Sequence, residues 1–117
     1  MKTQEKRTIN FTLAIAKTKE YGMKGMTKAQ AQGKEFINGL IDEWLANYQF
    51  ETIQKQVGYL REQLRETNRT LNYANQDIKK ATKYNDSEWL NDLTIEIEKF
   101  TMVKKMLTEM LGAIAYM

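Results

Sequence analysis

The chain contains no cysteine, no histidine and no proline, and only six of its 117 residues are glycine. Without a thiol there is no disulfide framework, no thiolate nucleophile and no zinc site built on cysteine. Without an imidazole there is no Ser-His-Asp triad, no Cys-His dyad and no histidine metal ligand. These absences argue against most enzymes. No apolar run approaches the roughly 18–20 residues that a membrane span requires.

What is present is an ordinary globular composition, 42% apolar and 28% charged, in a chain of single-domain length. A single helical domain over 1–117 is expected. The 18 basic and 15 acidic residues leave a net charge of +3 and a pI near 9.0. That mild mean hides an asymmetry. Lys2, Lys6, Arg7, Lys17, Lys19, Lys24, Lys28 and Lys34 face only Glu5 and Glu20 in the first 34 residues, a local balance of +6. The other 83 residues carry ten basic and thirteen acidic side chains, a balance of −3. The N-terminal third is therefore a candidate anion-facing surface, weighed against a merely solvated lysine-rich face.

Lys2, Lys6 and Arg7 precede an apolar stretch at 9–16 that ends in an A-x-A-like triplet. Asn10 and Thr12 interrupt that stretch, Glu5 sits in the basic region and charge resumes at Lys17. The pattern reads against a secretory signal, and a cytoplasmic location is expected, in the host bacterium if the chain is phage-encoded.

With no proline and few β-branched runs, the chain reads as all-α. The spacing predicts four helices. The first covers about 4–21, where Ile9, Phe11, Thr12, Leu13, Ile15 and Ala16 make a wide apolar arc opposite Lys6, Arg7, Asn10 and Lys17. Gly22 and Gly25 end it, and Thr27 can cap the next helix. That second helix covers about 28–48, with Phe36, Ile37, Leu40, Ile41, Trp44, Leu45 and Tyr48 as its apolar face.

The third segment, about 50–83, carries the strongest pattern. Phe50, Ile53, Val57, Leu60, Leu64, Thr67, Leu71, Ala74, Ile78 and Ala81 alternate steps of three and four. That is a heptad seam. Extending it backwards does not meet the apolar face of 28–48, so a break near 47–50 is expected. Thr67 softens the seam, with Asn68, Asn72, Asn75 and Gln76 around it. Such polar groups either fix register or border a partner surface. Asn85-Asp86-Ser87 marks a turn and helix cap, and Leu90, Leu93, Ile97, Phe100, Val103, Leu107, Met110 and Ile114 carry a fourth helix over about 88–116. The 3-3 step at Ile97, Phe100 and Val103 allows local unwinding there. The expected architecture is a long antiparallel coiled-coil hairpin, about 50–83 and 88–116, with two shorter N-terminal helices packed on it.

Carboxylates are the remaining candidates for acid–base or metal chemistry. Glu62 and Glu66, and Asp92 and Glu96, stand one turn apart, a spacing that can hold a hard cation. Nearby Arg and Lys residues read more simply as their ion-pair partners. The loop 21–27 lacks phosphate-loop spacing. No catalytic residue, cofactor or metal site is expected.

Two sets of residues are candidates for binding. Lys2, Lys6, Arg7, Lys17, Lys24 and Lys28, with the i, i+4, i+8 stripe Arg61, Arg65 and Arg69, can face a partner or an anion. The competing reading of the stripe is a solvent face paired with Glu62 and Glu66. Leu64, Leu71 and Ile78 on the seam, with Met102, Met106 and Met110, are candidates for self-association, because a hairpin this long exceeds what two short helices can cover. The seven methionines also suit core filling.

The leading expectation is a small, non-enzymatic interaction protein, preferably a homodimer. Size and the Lys, Asn, Gln and Thr content fit a phage or prophage accessory protein that binds and inhibits or regulates a host or defence protein. One alternative is a nucleic-acid-binding module using the basic N-terminal third. The other is a helical oligomer that sequesters an anionic, nucleotide-like ligand.

Overall fold

The computed structural model describes residues 26–48 and 53–115, and the regular structure in them is entirely α-helical. The described residues form three helices: α1 (Lys28–Tyr48), α2 (Ile53–Lys83) and α3 (Ser87–Ala115). At 1.5 Å per residue they are about 32, 46 and 44 Å long. The expected helix at 4–21 and the expected break near 47–50 fall outside or at the edge of the described residues. The 3-3 step at Ile97, Phe100 and Val103 does not interrupt α3.

Local chemistry sets the helix ends. Thr27 is the N-cap of α1 and forms a reciprocal capping box with Gln30. The Gln30 amide donates to Thr27 Oγ1 at 3.1 Å, and the Thr27 amide donates to Gln30 Oε1 at 3.0 Å. At the far end of α2, Asn85 takes a left-handed φ of 53°. Asn tolerates that region better than most residues. The Asp86 amide then donates to the Ala81 carbonyl at 3.0 Å and the Asn85 amide to Thr82 at 3.2 Å, the paired bonds of a Schellman ending. Asp86 next caps α3 by accepting from the Trp89 amide at 3.0 Å. Three residues thus close one helix and open another. Lys80 and Lys83 in the last turn of α2, and Glu88 in the first turn of α3, suit the helix dipoles.

The core has two parts. Far from the 84–86 turn, Ile37, Leu40, Ile41 and Trp44 of α1 meet Leu60 of α2 and Met102, Val103, Met106, Leu107 and Met110 of α3. Nearer the turn, Ala74 and Ala81 of α2 meet Leu93 of α3, with Ile78, Trp89, Leu90 and Ile97 around them. Among the described residues, this second cluster draws on α2 and α3 alone. The small Ala74 and Ala81 permit close helix approach but bury little area each.

Seam residues Leu60, Thr67, Leu71, Ala74 and Ala81 are buried, while Val57, Leu64 and Ile78 are half-buried. Thr67 resolves its polarity locally: its hydroxyl donates to the Gln63 carbonyl at 2.8 Å. α1 packs chiefly along α3 and touches α2 little. At the α1–α3 contact stands Gly33, where a Cβ would lie 2.5 Å from the Lys99 carbonyl oxygen and 3.0 Å from Met102 Cβ. Only glycine admits that approach.

The molecule is long for its mass. Its radius of gyration is 16.5 Å, against roughly 13 Å for a compact chain of this length, and its extents are 59 × 28 × 24 Å. No helix among the described residues is long and apolar enough to cross a membrane.

Candidate interaction surface

The seam of α2 turns inward, which leaves its opposite face to solvent. Arg61, Arg65 and Arg69 project from that face, all exposed. Each of the last two has an acidic neighbour one turn earlier. Arg65 Nη2 donates to Glu62 Oε1 at 2.7 Å and to Oε2 at 2.5 Å, and Arg69 Nη1 stands 3.4 Å from Glu66 Oε1. The hydrogen bond that Arg65 donates to Glu62, and then the charge of Glu62, raise the Arg65 pKa. The guanidinium therefore keeps its charge throughout the accessible pH range. Such exposed i, i+3 pairs orient the stripe more than they stabilise the fold. Glu62 and Glu66 are engaged by these arginines, and among the described residues no three carboxylates gather as a metal-holding group. Lys79, Lys80 and Lys83 extend the exposed basic residues of α2 towards the turn.

Lys28 is exposed at the start of α1, beside an open recess of about 290 Å³ lined by Thr27, Lys28, Ala29, Gln32, Ile95 and Glu98. Thr27 Oγ1, while accepting from Gln30, donates to Glu98 Oε1 at 2.5 Å, so the cap of α1 is also tied to α3. Of the remaining anion-facing candidates, Lys2, Lys6, Arg7, Lys17 and Lys24 lie outside the described residues.

The candidates for self-association divide. Leu71 is buried, and Leu64 and Ile78 are half-buried, the last two packed against the first and second parts of the core respectively. Met102, Met106 and Met110 suit either self-association or core filling by sequence, and they fill the core. They are 7%, 1% and 1% exposed, because α1 lies lengthwise along that side of α3 and packs Ile37, Leu40, Ile41 and Trp44 onto it. They are core residues of the chain itself.

The exposed apolar surface lies elsewhere. Phe36, read from the sequence as part of the inward face of its helix, is 41% exposed. It sits at the edge of the α1–α3 contact and meets Phe100 edge-on, with ring centroids 5.7 Å apart at 70°. Lys99 Nζ stands 6.0 Å from the Phe36 ring centre and 5.2 Å from that of Phe100. Ile95 is equally exposed at 41%, and Tyr73 and Tyr84 more so. Ile95, Tyr73 and Tyr84, with half-buried Trp89 and Leu90, all belong to the part of the α2–α3 pair nearer the turn. Neither Gly33 nor the exposure of Ile95 was legible as a site feature, since both depend on where α1 crosses α3.

No protein-family model, curated protein or solved structure matches the chain.

Proposed function

We propose that this chain is a non-enzymatic helical interaction protein, a homodimer built on an antiparallel α2–α3 hairpin, which regulates a second protein by binding it. The supporting observation is the uneven covering of that hairpin. Far from the turn, α1 completes a three-helix core around the methionines. Nearer the turn, among the described residues, α2 and α3 alone share a core of small side chains, while Ile95 and the rings of Tyr73 and Tyr84 are exposed. Exposed apolar side chains such as Tyr73, Tyr84 and Ile95, in the halves of α2 and α3 nearer the turn, suit protein recognition. A two-fold dimer through this end is the simplest closed assembly. The size and composition suit a phage or prophage accessory protein acting on a host or defence protein in the bacterial cytoplasm.

Affinity capture from bacterial lysate, with and without nuclease, tests the partner class. A defined protein retained after nuclease supports the reading, and loss of all capture after nuclease contradicts it. The exposed Arg61, Arg65, Arg69, Lys79, Lys80 and Lys83 along α2 favour one second reading, nucleic-acid binding. Its mark is an affinity for duplex DNA that falls by roughly one decade per decade of salt for each phosphate neutralised.

A further inference from the structure

Asn38 is followed by Gly39, and every other asparagine of the chain is followed by a residue with a side chain. The difference is chemical. A backbone amide nitrogen can attack the side-chain amide of the asparagine before it and close a five-membered ring. A Cβ on the attacking residue crowds that approach, and glycine has none. The structure gives the two residues unlike environments. Gly39 is exposed, with open space where a Cβ would stand. Asn38 is half-buried, and its Oδ1 is shut off from solvent with no hydrogen-bond partner. Both lie in the interior of α1, between core residue Ile37 and core residues Leu40 and Ile41.

We propose that Asn38 is a latent self-modification site, closed while α1 is helical and reactive when α1 opens, whose products keep α1 from packing again on α3. In the reaction a solvent base removes the Gly39 amide proton, and the nitrogen bonds to Asn38 Cγ. The Cγ–Nδ2 bond breaks, ammonia leaves and a cyclic imide remains. Water then opens the ring at either carbonyl. Cleavage between Cγ and the Gly39 nitrogen gives aspartate. Cleavage between the main-chain carbonyl carbon and that nitrogen gives isoaspartate, with the chain running through Cγ. Water is consumed, ammonia is released and nothing is oxidised or reduced.

The helix blocks the first step twice. The Gly39 amide donates to the Glu35 carbonyl four residues back, so its proton is engaged. Helical backbone angles also hold the Gly39 nitrogen off the line of attack on Cγ. Asn85, exposed in the 84–86 turn, is the competing site. There Asp86 carries a side chain, and its amide is held by the Ala81 carbonyl at 3.0 Å.

Both products disturb α1. Aspartate puts a charge where Oδ1 is shut off from solvent and meets no donor. Isoaspartate adds a methylene to the main chain beside Ile37. It breaks the spacing that brings Ile37, Leu40, Ile41 and Trp44 to one face. Met102, Met106 and Met110 then lack the α1 side chains packed on them. The inference does not depend on the dimer reading, since Asn38 is not part of the turn-end surface.

The test ages the full chain at mildly alkaline pH, with and without urea. Trypsin releases residues 35–55 as one peptide, and fragment masses place the change at Asn38 or Asn47. In urea the expected result is conversion at Asn38 ahead of every other asparagine, with aspartate and isoaspartate both present. In buffer alone the conversion is slowed at least about tenfold, because α1 must open first. Equal rates in urea and buffer, or faster conversion at Asn85 in urea, would overturn the proposal. Gly39→Ala, which fills open space in the folded chain, slows conversion severalfold in urea. An unchanged rate there contradicts attack by the nitrogen of residue 39. Amide hydrogen exchange of the aged chain, returned to buffer, reads the consequence. Protection is lost over 34–44 and kept over 86–93. Full protection over 34–44 in the isoaspartyl chain would overturn the claim that modified α1 no longer packs.

Discussion

Gly33 and Lys99 bring two helix backbones into direct contact: a Cβ at Gly33 would stand 2.5 Å from the Lys99 carbonyl oxygen. The obstructing atom is backbone, so relief requires α1 to move away from α3 rather than a side chain to rotate. Gly33→Ala is therefore expected to lower stability by about 1–3 kcal/mol, the usual cost of overpacking. Gly39, on the same helix, has open space around it. Gly39→Ala is expected to raise stability by about 0.5–1 kcal/mol through helix propensity. Urea unfolding of both variants checks the pair of opposite signs.

Thr27 performs two tasks with one hydroxyl, capping α1 and donating to Glu98 on α3. Thr27→Ala removes both and is expected to cost about 0.5–2 kcal/mol. Thr27→Ser keeps the oxygen and should recover most of that loss. Thermal melts of the two variants separate the hydroxyl's contribution from that of the methyl group.

Core substitutions should follow the observed burial rather than heptad position alone. Leu60→Ala and Leu107→Ala remove side chains with no exposure and are expected to cost about 2–5 kcal/mol each. Leu64→Ala, at an equivalent seam position but half-buried, should cost less. Equal losses at Leu60 and Leu64 in denaturant titrations would contradict the observed packing.

The elements encoded by neighbours in sequence were legible. Thr27, and the Asn85-Asp86-Ser87 run, announce helix ends through side chains that reach only three or four residues along the chain, though the Gln30 partner of Thr27 emerged only from the structure. The steps of three and four from Val57 to Ala81 set the inward face of α2 because periodicity is a property of one helix. What depended on a second helix was not legible. Nothing near Gly33 in sequence indicates that a carbonyl 66 positions later leaves no room for a methyl group. The Met102, Met106 and Met110 face pointed to an interface by length arithmetic alone, and the side of α3 on which α1 lies decided otherwise. Phe36 and Ile37 look alike in composition, and only the α1–α3 crossing places one at the edge and the other at the centre. The surface candidates fared similarly: i, i+3 spacing anticipated the Arg65–Glu62 pair, whereas the exposure of Ile95 follows from where α1 begins.

In the proposed dimer, the turn end of the α2–α3 pair is the surface through which the chain meets a second copy. The direct measurement is the molar mass by light scattering at micromolar concentration, for the unaltered chain and for Ile95→Glu with Tyr73→Ser, which change exposed side chains outside the core. The expected result is twice 13.7 kDa for the unaltered chain and 13.7 kDa for the variant. A mass of 13.7 kDa for the unaltered chain, or a dimer that the two substitutions leave intact, would contradict it.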